Sequence, residues 1–188
     1  GICNNMATWK NLNNCMQRIY WQLLPRGGVR RLAPVALRQM DRVFYGIRCP
    51  HLGIECLIAQ LNKLLVHYGR ISGLGLEMQV SMEILTTELG LSLQPFQESF
   101  EMYGKGITNS WLKSVWEKVS LFKVKVEISP LAVLVPREGD KWFMQAVKDA
   151  GVTDSEEWWI INRFRCHQQV LFLSDVLDAG GRSLDKKY

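Results

Sequence analysis

Acidic residues are scarce at the beginning of this 188-residue sequence, and several common signals are absent. Residues 1–75 contain two acidic and ten basic residues, whereas residues 76–188 contain 16 acidic and 13 basic residues. No stretch of about 18 apolar residues lacks a charge, which excludes a transmembrane helix. The first residues have no basic group leading into an apolar run, so they are not typical of a secretory signal. The sequence begins without methionine, and we expect it to be a piece of a longer reading frame.

Cysteine is also scarce, with five residues scattered through the chain. An odd, dispersed set favours reduced thiols and an intracellular protein, nuclear or cytoplasmic. The spacing of Cys49, His51, Cys56 and His67 fits no common zinc motif, because structural zinc sites usually combine two close pairs of ligands. A buried thiol at Cys56 is therefore favoured over a metal ligand, and we expect no metal and no cofactor in this chain.

Catalytic motifs are missing as well. The sequence contains no Walker loop, no G-x-S-x-G and no H-E-x-x-H. Two-metal nucleases and polymerases need carboxylates that converge on ions about 4 Å apart, whereas Asp140 and Asp154 are expected to start helices. Asp175 lies in an apolar run, where we expect it to form a hydrogen bond with a nearby turn. The chain is therefore not expected to be an enzyme by itself.

Arginine, by contrast, is abundant in the first part of the chain. The segment from residue 26 to residue 48 carries Arg26, Arg30, Arg31, Arg38, Arg42 and Arg48. The planar guanidinium group binds a phosphate with two parallel hydrogen bonds, so this segment predicts contacts with a nucleic-acid backbone. Two alternatives stay open at this point: a solvated basic face, or arginines paired with acidic residues of the second half.

Hydrophobic spacing predicts a mainly α protein. Apolar residues recur every three or four positions over 6–23, 52–68, 78–89 and 111–119, and a further helix is expected over 155–166. Residues 123–128 alternate charged and β-branched side chains, which is typical of a strand with one solvated face, and residues 43–47 are expected to be extended. We expect a small β element near residues 123–136. The expected division is a basic helical part, 1–72, and a helical part, 73–188, with a small α+β region at its end.

Several segments of the chain, taken together, resemble one family. They are residues 42–46 (RVFYG), 51–67 (HLGIECLIAQLNKLLVH), 110–117 (SWLKSVWE), 136–140 (PREGD) and 173–176 (LSDV). They look like the region that follows the polymerase palm in reverse-transcriptase-like proteins of retrotransposons found in microbial eukaryotes. The resemblance covers residues 35–180. The Tyr-x-Asp-Asp motif of the palm is absent, and Pro50 and His51 stand where the family has two glycines.

The resemblance implies a helical thumb and connection without catalytic activity of its own, from a parent RNA-directed DNA polymerase. Mg²⁺ would be bound only by the missing palm, which would itself be a protein partner. The basic segment would hold an RNA–DNA hybrid or another nucleic acid by phosphate contacts, which carry no sequence information, and no membrane would be involved. The expected contacts are Arg26, Arg30, Arg31, Arg38, Arg42, Arg48 and Lys63, with Tyr45 and His51 as candidates for stacking or sugar contacts.

A protein-interaction module without a nucleic-acid role is the rival hypothesis. The chain has seven tryptophans, and the neighbours Trp158 and Trp159 cannot both face one core if they lie on a helix. An exposed tryptophan would mark a docking patch. An exposed aromatic patch away from the arginines would therefore favour a protein partner.

Overall fold

The computed structural model describes residues 6–29, 33–92, 94–108, 110–129, 136–178, 181 and 183–185. Within these residues the chain is mainly helical, which confirms the predicted fold class. The α-helices are α1 (Met6–Leu23), α2 (Val35–Gln39), α3 (Leu52–His67), α4 (Gly73–Leu89), α5 (Phe100–Tyr103), α6 (Trp111–Leu121), α7 (Phe143–Asp149) and α8 (Ser155–His167). Short 3-10 helices lie at Leu24–Gly27, Arg42–Phe44, Pro95–Gln97, Gly104–Gly106 and Leu173–Asp175.

The chain divides into two compact units, residues 1–63 and residues 64–188. By sequence the first unit carries nine basic and two acidic residues, a net charge of +7, and the second carries a net charge of −2. The uneven charge of the sequence therefore follows the division into units. The expected boundary after residue 72 lies nine residues beyond this division, just before α4, where the Ser72 hydroxyl accepts a hydrogen bond from the Gly75 N–H at 3.1 Å.

Local chemistry explains where several helices begin and end. α1 ends just before the 3-10 helix that contains Pro25, a residue without the N–H that would continue an α-helix. Ser110 caps α6 and Asp154 caps α8, each by accepting hydrogen bonds from N–H groups of the first turn. Gly90 ends α4 in the left-handed conformation, with φ of 62°. These boundaries follow the signals in the sequence.

The core of the second unit is built around two buried tryptophans. Trp116 of α6 donates a hydrogen bond from its indole N–H to the Glu98 carbonyl oxygen at 3.0 Å. The Phe100 ring meets Trp116 edge-on, with 5.1 Å between ring centroids, and Trp158 of α8 packs on the Tyr103 ring at 4.5 Å. Each such aromatic pair contributes about 1 kcal/mol beyond the area it buries. These contacts join α5, α6 and α8.

A buried arginine joins α8 to the end of α4. Arg165 donates hydrogen bonds to the carbonyl oxygens of Thr87 at 2.9 Å and Glu88 at 2.7 Å, in the last turn of α4. It also donates to Asn162 Oδ1 at 2.9 Å and to the Val170 carbonyl oxygen at 3.0 Å. Burial lowers the pKa of this guanidinium group. Its positive charge faces the negative end of the α4 dipole, which stabilises the contact.

The expected small β element is not a strand in its described part. Residues 124–129 form no ladder with another described segment. Instead, the Gln94 side-chain amide donates to the Ile128 carbonyl oxygen at 2.6 Å and accepts from the Ile128 N–H at 3.3 Å. A side chain thus occupies the place that a neighbouring strand would take. Residues 130–135 lie outside the described residues, where the rest of this element was expected.

Candidate nucleic-acid interface

Residues 41–49 form a closed loop that returns along the end of α2, and we call this segment the 41–49 loop. Backbone N–H groups of its second half donate to carbonyl oxygens in and just after α2. These bonds run from Ile47 to Leu37 (3.1 Å), from Arg48 to Met40 (3.0 Å) and from Cys49 to Arg38 (2.6 Å). One side of the loop is therefore attached to the helix by paired backbone groups.

Asp41 determines the turn on the other side of the loop. Its carboxylate accepts a hydrogen bond from the Val43 N–H at 3.0 Å, and its carbonyl oxygen accepts from the N–H groups of Phe44 and Gly46, each at 3.0 Å. Tyr45 lies between them in the left-handed conformation, with φ of 60°. The expectation of extended chain in this segment is wrong, because the turn satisfies backbone groups that a strand would pair with a neighbour.

Gly46 closes the loop at a point where no side chain fits. A Cβ at this position would lie 2.0 Å from the carbonyl oxygen of Met40 and 2.6 Å from the Met40 Cβ. The loop therefore requires glycine here. Because hydrogen bonds hold the backbone on both sides, the tip of the loop has a defined geometry before any ligand binds.

The tip of the 41–49 loop presents three large apolar side chains to solvent. Val43 is 80% exposed, Phe44 68% and Tyr45 93%. Arg42 and Arg48, which flank them in the sequence, are exposed as well. A contiguous exposed apolar patch marks an interaction site more often than an isolated apolar residue does. In the sequence, these side chains lie between Arg42 and Arg48, so the exposed segment combines apolar and cationic groups.

The residues predicted to contact phosphates differ from one another in their exposure to solvent. Four of them are exposed: Arg26, Arg42, Arg48 and Lys63. Arg30 and Arg31 lie outside the described residues. Arg18, on α1, is also exposed, although it is not one of the predicted contacts. A single basic residue on a helix gives no local signal that would have identified it as a contact.

Arg38 lies inside the first unit. Its side chain is on α2 and is 5% exposed, and one guanidinium nitrogen donates to Gln17 Oε1 of α1 at 3.2 Å. Its Nε has no hydrogen-bond partner in the described part of the chain. A phosphate cannot reach this group without rearrangement of the unit. The five-residue α2 is too short to show a helical period, so no local pattern predicts this burial.

The two candidates for stacking or sugar contacts also differ in placement. Tyr45 is at the tip of the 41–49 loop and almost fully exposed. His51 precedes α3, where its Nδ1 accepts a hydrogen bond from the Ile54 N–H at 3.3 Å. The His51 ring is half-buried and helps to start the helix. Of the two, Tyr45 is therefore the residue placed to meet a ligand.

The second unit exposes an apolar face on α4. Leu76, Val80 and Ile84 are spaced four residues apart and are each about half exposed. A shallow cleft of about 310 Å³ lies beside Val80 and Ile84. The opposite side of α4 packs into the core through Met78 and Met82. A helix with apolar side chains on two opposite faces is typical of a helix covered on both sides.

The adjacent tryptophans of α8 take different positions, as expected from helical geometry. Trp158 is buried and Trp159 is half-buried. The Trp159 ring packs on Gly106, where a Cβ would lie 2.4 Å from the ring, and the Arg163 guanidinium carbon lies 5.5 Å from its centroid. Trp159 is thus partly covered by its own unit.

Asp140 connects two turns of the second unit. Its carboxylate accepts hydrogen bonds from the Ser174 hydroxyl at 2.6 Å, the Ser174 N–H at 3.2 Å and the Lys141 N–H at 2.8 Å. Partial burial would raise the pKa of Asp140, but these hydrogen bonds outweigh it and hold the pKa below its ordinary value. The expectation that Asp140 caps a helix is wrong, because α7 begins at Phe143 and Trp142 is its N-cap residue.

Asp175 has the structural role expected of it. Its carboxylate accepts hydrogen bonds from the N–H groups of Leu171 and Phe172, each at 2.8 Å, which confirms the expected bond to a nearby turn. In the described ranges, no group of three or more His, Cys, Asp and Glu side chains is arranged to hold a metal ion. Cys56, expected to be buried, is half-buried on α3.

Comparisons with known proteins identify no relative of this chain. No protein-family model, no curated protein and no solved structure matches it. Among the helices that the structure describes, none is long and apolar enough to cross a membrane.

Proposed function

We propose that this chain is a non-catalytic, nucleic-acid-binding part of a retroelement reverse transcriptase, which holds an RNA–DNA hybrid by contacts with phosphates. The proposal combines the sequence resemblance to the region after the polymerase palm with the arrangement of the first unit. The observation that carries it is the exposure of Arg26, Arg42 and Arg48 on a unit with a net charge of +7.

A basic unit of this kind binds a polyanion without reading its sequence. Each neutralised phosphate releases counterions, so the logarithm of the affinity falls with the logarithm of salt by about 0.9 per contact on duplex DNA. Asp41 and Glu55 are the two acidic residues of the first unit against nine basic ones. Ion pairs within the unit therefore cannot neutralise its charge.

The proposed interface differs from the full set of predicted contacts. It includes Arg26, Arg42, Arg48 and Lys63, with Arg18 added because it is exposed on α1. Arg30 and Arg31 stay predicted contacts. Arg38 is left out, because its buried guanidinium group bonds to Gln17 and supports the packing of the unit.

The test measures binding of the purified chain to a labelled RNA–DNA hybrid across a salt series. The wild-type affinity is expected to fall linearly with salt on logarithmic axes. Arg26→Ala and Arg42→Ala should each weaken binding equally on hybrids of different sequence and reduce the slope by about one. The double variant Arg30→Ala/Arg31→Ala should reduce the slope by about two if both residues contact phosphates.

Arg137→Ala is the matched control, since Arg137 is exposed and belongs to the second unit. It removes the same side chain and the same charge, so it measures the effect of net charge alone. A folded chain that does not bind the hybrid at low salt contradicts the proposal. Equal losses for Arg42→Ala and Arg137→Ala would contradict the assignment of the contacts to the first unit.

A second candidate function, the docking of a protein partner, is favoured by the exposed apolar face of α4. The palm of the parent polymerase is the expected partner. Val80→Glu places a charge in the middle of this face and should abolish binding to a palm supplied as a separate protein. The same variant should leave the affinity for the hybrid unchanged. Unchanged palm binding would exclude this docking face.

A further inference from the structure

We propose that the 41–49 loop binds unpaired nucleobases by stacking them on Phe44 and Tyr45, while Arg42 and Arg48 contact the adjoining phosphates. The ligand class is single-stranded RNA or DNA, including an unpaired end or junction. This inference rests on the proposed function, because the first unit must bind nucleic acid before the loop can select its unpaired form.

The two aromatic rings of the tip are accessible to a ligand. Phe44 and Tyr45 are mostly exposed, so a flat partner can reach them from solvent. A base inside a duplex is stacked between its neighbours, whereas an unpaired base can be splayed out onto an aromatic side chain. Such stacking tolerates any sequence, because every base has a π-face. The tip therefore suits unpaired bases and not the interior of a hybrid.

The backbone that carries these rings has a defined conformation. Hydrogen bonds hold the loop on both sides, and Gly46 packs directly against Met40. Tyr45 keeps a φ of 60°, a conformation that is unfavourable for a residue with a side chain. Strained residues of this kind concentrate at ligand sites. Because the backbone is already ordered, binding would fix only the two ring side chains. The entropic cost of binding is therefore lower than it would be for a flexible loop.

The segment that carries the tip, and the unit around it, are positively charged. Arg42 and Arg48 flank the apolar side chains in the sequence, and Arg18 and Arg26 add exposed positive charge elsewhere on the same unit. A single strand carries a phosphate beside every base, so it can use the rings and the guanidinium groups together. An apolar pocket of a protein partner would use only the rings.

The experiment compares a short oligouridine with a blunt RNA–DNA hybrid, using the wild type and the Phe44→Ala/Tyr45→Ala variant. Loss of both stacking rings should weaken oligouridine binding by about tenfold or more, and hybrid binding by less than about twofold. Ile71→Ala is the control, because Ile71 is 98% exposed and lies in the second unit. Vesicles of anionic lipid form a third arm.

Each outcome bears on the inference in a defined way. Equal losses on the two nucleic acids, or no loss, overturn it and leave the proposed function intact. Ring-dependent binding to the vesicles, without ring-dependent binding to oligouridine, assigns the tip to a lipid surface and overturns it as well. A folded wild-type chain that binds neither nucleic acid at low salt overturns the proposed function, and this inference with it.

Photo-crosslinking of the wild type removes any dependence on the folding of the variant. A 4-thiouridine-substituted oligouridine is irradiated with the chain, and the modified peptide is identified by mass spectrometry. An adduct on the peptide that contains Phe44 and Tyr45 supports the inference. Adducts confined to other peptides overturn it.

Discussion

The carboxylate of Asp41 lies 3.6 Å from the guanidinium group of Arg48, across the base of the 41–49 loop. The same carboxylate accepts the hydrogen bond from the Val43 N–H that starts the turn. The Arg48 side chain is 71% exposed and that of Asp41 45%, and surface pairs of this kind contribute about 0–1 kcal/mol to stability. Asp41 therefore shapes the loop by its hydrogen bond, while its charge opposes a phosphate that approaches Arg48.

Asp41→Asn is expected to tighten the binding of nucleic acid. The amide oxygen can still accept the hydrogen bond from Val43, but the negative charge beside Arg48 is gone. We expect the affinity for the hybrid to rise by about two- to fivefold at low salt. Fluorescence anisotropy with a labelled hybrid measures the change. Asp149→Asn, which breaks an exposed pair with Lys141 in the second unit, is the control, and an equal rise there would contradict the prediction.

Gly46→Ala is expected to distort the 41–49 loop. The new Cβ would meet the backbone oxygen of Met40 at 2.0 Å, so the loop must move. Overpacking of this kind costs about 1–3 kcal/mol, and oligouridine binding should weaken with the loss of the tip geometry. Urea unfolding and anisotropy measure the two effects. Gly27→Ala is the control, because the space around a Cβ at this position is open, and it should change neither the stability nor the affinity for oligouridine. Equal losses of stability and affinity in the two variants would contradict the prediction.

The sequence predicted the long helices because their apolar period is strong. α1, α3, α4 and α6 each contain several turns, so their three- and four-residue spacing is unambiguous. The cap of α8 followed from Asp154. Residues 124–129 have the sequence pattern of a strand, but they pair with no other strand in the described chain. Tertiary pairing with Gln94 decided its conformation, and no local pattern encodes that contact.

The candidate site was predictable only in part. The arginine-rich segment located the basic unit, but it did not distinguish the buried Arg38 from the exposed Arg42. The β-branched and aromatic residues at 43–47 favoured an extended chain, whereas Asp41 and Gly46 turn the backbone back on itself. Side chains that usually form a core are therefore exposed at a tip. A propensity scale cannot reveal this, because it describes the residue and not its neighbours.

Arg165→Lys is expected to destabilise the second unit strongly. An ammonium group cannot reach Asn162, the Val170 carbonyl oxygen and the end of α4 at the same time. Buried acceptors then lose their partner, which costs about 2–4 kcal/mol in the free energy of unfolding. Urea denaturation followed by circular dichroism measures this loss of unfolding free energy. Arg137→Lys, at an exposed arginine of the same unit, should stay within about 0.5 kcal/mol of the wild type.

Asp140→Asn is expected to remove a contribution to stability that depends on pH. Hydrogen bonds from Ser174 and Lys141 hold the folded pKa of this carboxyl below its ordinary value of 3.8. A depressed pKa means that the charged form stabilises the fold above the unfolded pKa, and that this contribution disappears as pH falls through the folded pKa. Asp140 is half-buried at the surface, so the loss at neutral pH should be about 0.5–1 kcal/mol after solvent screening.

The measurement is the difference in unfolding free energy between the wild type and Asp140→Asn along a pH series. The difference should be constant at neutral pH and shrink as pH falls below 3.8, the ordinary value for this carboxyl. Ser174→Ala removes the donating hydroxyl, so the pH at which the difference disappears should move upward toward the ordinary value. If the difference in unfolding free energy persists unchanged into strong acid, the prediction is wrong. The charge of Asp140 would then make no contribution to joining the two turns.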